Sequence, residues 1–228
     1  MIPVAVAIMA KAPRVGEVKT RLCPPLSPAE AAALYRCFLL DKIDQVRALK
    51  EAHPAVAYTP AEGRAVFEAL APGFTLVLQR GADLGARLAS ILAQLLDHGH
   101  AAALAIDSDT PTLPSAFLQQ AVDLIMRPGP DVVLGPSDDG GYYLIGVRAV
   151  RRELFEGIPW STPDVLAQTM RRATAAGLTT ACLPAWFDVD TPGDLERLRA
   201  SLAELPEAAP ATAGFLAKRT GPCRAPTR

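Results

Sequence analysis

Val4-Ala5-Val6-Ala7-Ile8-Met9, followed by Lys11-Ala12-Pro13-Arg14-Val15-Gly16-Glu17-Val18-Lys19-Thr20-Arg21, decides the fold. An unbroken apolar run of strand length is the pattern of a central strand in a parallel sheet, covered on both faces. The basic, proline-containing stretch after it reads as a loop. Ser27-Pro28-Ala29-Glu30 then forms a capping box with proline at the first helical position, so a helix is predicted from there to about Leu49. A buried strand, a long polar loop and a helix are the opening unit of an open α/β sheet, in which ligands bind where the loops leave the carboxyl ends of the strands. The whole apolar run, Ile2 to Ala10, is too short to cross a bilayer, and no basic region precedes it.

The same alternation continues along the chain. Short apolar or β-branched runs at Ala55 to Tyr58, Thr75 to Leu78, Ala101 to Ile106, Val132 to Leu134, Tyr142 to Val147 and Thr179 to Leu183 are predicted strands. Helical patterns at Leu84 to Leu96, Ala116 to Met126 and Val165 to Ala176 separate several of them. Thr59-Pro60-Ala61-Glu62 and Thr191-Pro192-Gly193-Asp194 repeat the helix-start signal, with Thr162-Pro163-Asp164 a weaker version. The order predicts one α/β domain with a mostly parallel sheet flanked by helices and a mixed edge near Tyr142. From Pro206 onward the composition shifts to Pro, Ala, Thr and Gly, so residues 1–205 are expected to form the domain and 206–228 a flexible tail.

With 228 residues, half of them apolar, the chain can bury a single core without staples. The 23 basic and 24 acidic side chains argue against a protein held mainly to nucleic acid by phosphate neutralisation. Cys23, Cys37, Cys182 and Cys223 show no C-x-x-C spacing, so a zinc site or disulfide framework is not expected, and a reducing, cytoplasmic compartment is. No membrane segment is predicted.

Four polar segments fall in loops of the expected sheet edge. In the first, Lys11, Arg14, Lys19 and Arg21 with Gly16 and Thr20 can surround phosphate oxygens, although charged surface loops are common and the Walker A spacing is absent. In the second, Ile106-Asp107-Ser108-Asp109-Thr110-Pro111 delivers D-x-D at the end of a strand. Such carboxylates suit Mg²⁺ or Mn²⁺ with a diphosphate, and equally make turns and caps. In the third, Pro136-Ser137-Asp138-Asp139-Gly140-Gly141-Tyr142 reads as a hairpin turn that can also floor an acceptor pocket, with Tyr142 or Tyr143 stacking on a ring. In the fourth, Asp188-Val189-Asp190-Thr191-Pro192-Gly193-Asp194, Asp194 is a capping carboxylate, and one of Asp188 and Asp190 can complete a metal shell opposite Asp109. Trp160-Ser161-Thr162 either lines the acceptor side or simply packs, and Arg87 either reaches the nucleotide or stays on the surface. His53, His98 and His100 are assigned nothing.

Taken in order, K-A-P-x-x-G-x-V-K-T-R-L (Lys11 to Leu22), D-x-P (Asp109 to Pro111), G-P-x-x-D-G-G-Y-x-L-I-G (Gly135 to Gly146) and D-x-D-T-P-x-D-L (Asp188 to Leu195) resemble the radical-SAM/selenodomain-associated transferase family. These arsenosugar-biosynthesis-type glycosyltransferases belong to the nucleotide-diphospho-sugar transferase superfamily, and the resemblance spans Ile2 to Leu205. It implies a Rossmann-like GT-A fold, a nucleotide over the first βα loop and a divalent cation on aspartates. The matching positions are Lys11, Lys19 and Arg21 for the nucleotide, Asp109 and Asp190 for the metal, and Asp139, Gly140, Gly141 and Tyr142 for the D-G-G-Y segment. Asp107 and Asp138 depart from the pattern. The K-T-R-L segment is also similar to the K-[ST]-R-L of 2-phospholactate guanylyltransferases, which use a nucleoside triphosphate.

The sequence therefore predicts a metal-dependent transferase with Mg²⁺ or Mn²⁺ on Asp109 and Asp190. Lys11, Lys19, Thr20 and Arg21 are expected to hold the nucleotide, Gly140, Gly141 and Tyr142 the acceptor, and Asp109 and Asp139 to act in catalysis. Glycosyl transfer from a nucleotide-sugar to a small-molecule acceptor is the first expectation. Nucleotidyl transfer from a nucleoside triphosphate to a phosphorylated acceptor is the second, and a catalytically silent nucleotide-binding protein the third.

Overall fold

The computed structural model describes residues 4–218 as one α/β domain with a seven-stranded sheet. The elements run β1 (Val4–Lys11), α1 (Pro28–Arg47), β2 (Ala52–Thr59), α2 (Arg64–Leu70), β3 (Thr75–Leu78), α3 (Leu84–Asp97), β4 (Ala103–Ile106), α4 (Ser115–Met126), β5 (Val132–Pro136), β6 (Tyr142–Val147), α5 (Val165–Ala175), β7 (Thr180–Cys182), α6 (Pro192–Glu204) and α7 (Pro210–Ala217). Strand order is β3-β2-β1-β4-β6-β5-β7. β6 pairs antiparallel with β4 and β5, and the remaining pairs are parallel. The reversed strand expected at an edge near Tyr142 thus lies inside the sheet. Tyr143 to Val147 are all buried, so this strand needs a neighbour on each side and cover on both faces.

Alternation along β1 sends Val4, Val6 and Ile8 to one face and Ala5 and Ala7 to the other. The first face is wide and takes residues of α1, α2, α4, α6 and α7. The second is paved with alanines of β1, β2 and β4, against which Leu88, Ile91, Leu92 and Leu95 of α3 pack. Small residues under one helix and branched ones under the others set the depth of each layer.

Both predicted capping boxes at Ser27 and Thr191 form, with side chain and backbone exchanging hydrogen bonds in each. Thr59 does not cap a helix. It remains the last residue of β2, in register with Lys11, and its carbonyl accepts from Ala12 N at 2.8 Å, so α2 begins only after a 3-10 turn.

The stretch from 206, expected to be a tail, folds as a 3-10 turn and α7 on the flank of α1. Asp41 of α1 accepts from Ala211 N (2.8 Å), Thr212 N (2.9 Å) and Thr212 Oγ1 (2.6 Å), while Ala209 and Leu216 are buried. Docking supplies what local composition does not. Asp41→Ala leaves these donors without an acceptor and is expected to lower stability by about 2 kcal/mol. Urea unfolding measures the loss, and limited proteolysis should then cut at α7 first. The last part of the expected tail, with Cys223, lies outside the described residues. Cys23, Cys37 and Cys182 are free thiols, and among the described residues no helix is long and apolar enough to cross a membrane.

Candidate active site

Because β1, β4, β5 and β7 run in parallel, the loops that leave them converge at one edge, and the β5–β6 hairpin turns there as well. Lys19 sits in the loop after β1 with a left-handed backbone (φ 48°, ψ 35°), a strained conformation for a residue with a Cβ. That bend turns its side chain inward. Its Nζ lies 2.6 Å from Asp109 Oδ1 and 2.7 Å from Asp190 Oδ1, with the Tyr35 and Phe38 rings at 6.0 and 5.8 Å. Burial alone would lower the pKa of this ammonium, but the charges of Asp109 and Asp190 and their hydrogen bonds outweigh it and raise the pKa well above the usual lysine value. Val189 N donates to the Asp109 carbonyl at 3.0 Å, which ties the two aspartate segments together despite their distance in sequence.

Around this centre are three adjoining clefts. The basic cleft, the one of the three that holds lysines, measures about 240 Å³ and is lined by Lys11, Lys19 and Arg21 with Glu17, Asp109 and Asp190, and by Val18, Thr20 and Tyr35. Lys11 Nζ donates to the Glu17 carbonyl at 2.8 Å, and Arg21 stands at the mouth, mostly exposed and 3.8 Å from Asp190 Oδ2. A second cleft of about 220 Å³ shares Asp109 with the first. Its described lining includes four aspartates (Asp107, Asp109, Asp139 and Asp188) and no lysine or arginine; Tyr142, Trp160, Ser161 and Thr162 complete its wall. A third, of about 300 Å³, shares Arg21 and Asp190 with the first and Asp139 and Asp188 with the second, and is also bordered by Asp138, Asp194 and Arg197.

The expected residues fall into two groups. Lys11, Lys19, Thr20, Arg21, Asp109 and Asp190 meet in the basic cleft. Asp139, Gly141 and Tyr142 line the second. Gly140 does not line it. Its φ of +90° and its contact with Pro163 make it a clamp: a Cβ there would stand 2.1 Å from the Pro163 carbonyl oxygen, and Leu166 N donates to the Gly140 carbonyl at 3.0 Å. Tyr142 and Trp160 both line the second cleft, their rings nearly perpendicular with centroids 6.4 Å apart. Asp138 is paired with Arg197 at 2.7 Å, and the two line the third cleft, not the second. Asp139 Oδ1 accepts from Gly141 N at 2.8 Å, so part of its carboxylate holds its own turn.

Asp188 stands beside Asp139 and accepts from Ser137 Oγ at 3.2 Å; burial, then the charges of Asp139 and Asp190, raise its pKa. Among the described residues no group of three or more His, Cys, Asp or Glu side chains is arranged to hold a metal. Asp109 and Asp190 nevertheless converge on a single positive centre. Lys19 takes one oxygen of each, which leaves their second oxygens as ligands for Mg²⁺, an ion that ordinarily takes one or two protein carboxylates with substrate phosphates and water.

Sequence reasoning passed over the support behind Asp109. Tyr35 OH lies 2.8 Å from Ser108 Oγ and accepts from Lys11 N at 3.1 Å, and Lys42 Nζ donates to Thr110. Their signal was spacing: Tyr35, Phe38, Leu39, Lys42 and Val46 all fall on the buried face of α1.

With this geometry in view, similarity to known proteins is informative. The chain is 31% identical over 186 residues to the 3-phospho-D-glycerate guanylyltransferase of Phenylobacterium zucineum (strain HLK1), covering 77% of this chain and 81% of that one. Its structure is similar to that of a protein from Desulfovibrio desulfuricans G20 provisionally described as a nucleotide-diphospho-sugar transferase, with a TM-score of 0.89, 32% identity and 96% of each chain covered. A cytidylyltransferase from Leptospira borgpetersenii serovar Hardjo-bovis (strain JB197) shares the fold at 14% identity, with a TM-score of 0.57 over 96% of this chain and 94% of that one. Residues 42–162, more than half the chain, match the family described as an uncharacterized protein conserved in bacteria (DUF2064), and the chain belongs to that family.

Proposed function

We propose that this chain, a transferase like its named relatives, is a glycosyltransferase that moves a sugar from a nucleotide-sugar to a small hydroxylated acceptor. The observation that carries the reading is the pairing of a cleft that holds three cations, Lys11, Lys19 and Arg21, with a carboxylate-lined cleft free of described lysine or arginine, the two sharing Asp109. A diphosphate belongs in the first, where Lys11, Lys19 and Arg21 supply positive charge. Sugar and acceptor hydroxyls belong in the second, where carboxylates accept their hydrogen bonds. The finer kinship with arsenosugar-type enzymes rests on the four sequence motifs alone.

In this reading the acceptor oxygen attacks the anomeric carbon, the bond from that carbon to the phosphate oxygen breaks, and the nucleoside diphosphate leaves with the bonding electrons. Lys19 and Arg21 stabilise the charge that grows on the leaving phosphate, where fixed cations contribute most. Asp139, with Asp188 beside it, orients the acceptor hydroxyl and takes its proton. Mg²⁺ or Mn²⁺ would be held by Asp109 and Asp190, and when bound it neutralises diphosphate charge. Chelation by EDTA is therefore expected to cut turnover at least about a hundredfold, with Mn²⁺ restoring it.

A second reading is nucleotidyl transfer, in which a phosphorylated acid attacks the α-phosphate of a nucleoside triphosphate and pyrophosphate leaves. The named activity of the Phenylobacterium relative favours it. The lining of the second cleft weighs against it, since an anionic acceptor there would meet four aspartates. Incubation with Mn²⁺ and either a panel of nucleotide-sugars or nucleoside triphosphates plus 3-phosphoglycerate separates the two. Release of nucleoside diphosphate from a nucleotide-sugar is expected, whereas pyrophosphate release dependent on 3-phosphoglycerate would reverse the order. A silent binding protein would turn over neither, and Asp109→Asn would then leave nucleotide binding unchanged.

A further inference from the structure

Directly behind Asp109 is a charged side chain that no step above uses. Lys42, in the C-terminal half of α1, is completely buried, and its Nζ donates to the Thr110 carbonyl at 2.8 Å and to Thr110 Oγ1 at 3.0 Å. Thr110 Oγ1 in turn donates to Asp107 Oδ1 at 2.6 Å. The hydroxyl proton is committed to Asp107, so Oγ1 offers Lys42 a lone pair, and the chain of donors runs one way from ammonium to hydroxyl to carboxylate. Two helical turns earlier on the same face, Tyr35 meets Ser108, whose Oγ donates to the Met9 carbonyl at 2.9 Å. Side chains alternate along this turn. Ser108 and Thr110 are buried against α1, while Asp107 and Asp109 line the second cleft.

We propose that Lys42 is a positioning residue: by gripping Thr110 it fixes the 107–110 turn so that Asp109 stands where the two clefts meet. A buried ammonium is a poor way to gain stability, because its desolvation offsets most of what its partners return. What it adds here is direction. Burial pushes the Lys42 pKa down, and the charges of Asp107, Asp109 and Asp41 draw it back up. The gripped atoms are those of the residue next to Asp109, on the opposite side from Ser108, so α1 holds Asp109 from both neighbours. The inference rests on Asp109 serving the donor, which both functional readings share.

The test uses the full chain with Mn²⁺ and whichever donor the wild type turns over, comparing Thr110→Val, Thr110→Ser, Lys42→Met and the Lys42→Met/Thr110→Val double variant. Valine has nearly the shape of threonine but removes the Oγ1 link between Lys42 and Asp107, leaving Lys42 only the carbonyl of residue 110, whereas serine keeps both contacts and Lys42→Met removes both. A misplacement of about 1 Å can cost about a hundredfold in rate, so Thr110→Val should lower kcat about ten- to a hundredfold with donor KM within about threefold. Thr110→Ser should restore it, and the double variant should lose little more than the worse single one, as expected for one pathway. A Thr110→Val enzyme with wild-type kcat, or a Thr110→Ser enzyme as impaired as valine, overturns the proposal even if Lys42→Met does not fold. If the wild type turns over no donor, the functional reading fails separately. Amide hydrogen exchange of residues 107–110 then decides: faster exchange in Thr110→Val but not in Thr110→Ser supports the role of Lys42, and unchanged exchange in Thr110→Val overturns it.

Discussion

Lys19→Met is expected to lower turnover about a thousandfold. One preorganised charge aimed at a developing oxyanion is ordinarily worth about a hundred- to a thousandfold. Here the same ammonium also screens two carboxylates 2.6 and 2.7 Å away, which would otherwise repel each other and the incoming phosphate. Both effects act in the same direction. Lys19→Arg should recover only part of the rate, because a planar fork does not occupy the position of a compact ammonium between two oxygens.

The pH profile offers an independent check of this assignment. A lysine whose pKa is raised on folding contributes stability that is complete below its ordinary value of 10.5 and is lost only as pH rises through the higher folded value. The wild type should therefore show no loss of activity from Lys19 deprotonation below about pH 10, with the shift directed as it is. An alkaline fall near pH 8 that disappears in Lys19→Arg would mean that the ammonium is not held by Asp109 and Asp190 as described. Steady-state rates across pH on both proteins measure this.

Gly140→Ala is expected to be the most damaging single methyl group in the acceptor half of the site. The new Cβ would lie 2.1 Å from the Pro163 oxygen, and the backbone there has a φ of +90°, which side-chain-bearing residues rarely adopt. Relief requires the 137–141 turn to part from the start of α5, with loss of the hydrogen bond from Leu166 N. Strain and the lost bond together suggest about 2–4 kcal/mol of destabilisation, read by urea unfolding. Trp160, Ser161 and Thr162 precede the displaced contact and wall the second cleft. Acceptor KM should consequently rise more than donor KM, and slow donor hydrolysis without acceptor should change least. Wild-type stability and acceptor KM in Gly140→Ala would contradict the clamp.

Much of this architecture is legible in the sequence, and what is not has identifiable physical causes. The apolar run of β1 and the capping boxes at Ser27 and Thr191 carry their meaning locally, through burial on both faces and through reciprocal side-chain bonds. The sheet interior around β6 was not readable from order alone. A hairpin strand can pair on either side, and it is the demand of β4 for a second neighbour that draws the reversed strand inward. α7 was missed because its stability resides in Asp41, some 170 residues earlier in the chain, and not in its own composition. In the site, strand-end loops marked Lys19, Asp109 and Asp190 as candidates, although each motif alone also reads as a solvated loop, turn or cap, and their order along the chain is what singled them out. Between the neighbours Asp138 and Asp139 only the resemblance chose, by the departure of Asp138 from its pattern; in the structure Asp138 is paired with Arg197 and Asp139 faces the second cleft. Lys42 was hidden for a related reason, because a lysine on a helix is ordinarily a surface residue and only its place in the apolar stripe marks it as buried.

The central claim is that Lys19, Asp109 and Asp190 form one cation-assisted site for a nucleotide diphosphate. Calorimetric titration of a panel of nucleoside diphosphates into the wild type and Asp190→Asn, each with and without Mn²⁺, addresses it directly. The account predicts that at least one nucleotide binds the wild type at least about tenfold more tightly with Mn²⁺, and that Asp190→Asn removes this gain without unfolding the protein. Binding indifferent to both Mn²⁺ and Asp190, or no nucleotide binding by a folded wild type, would contradict it.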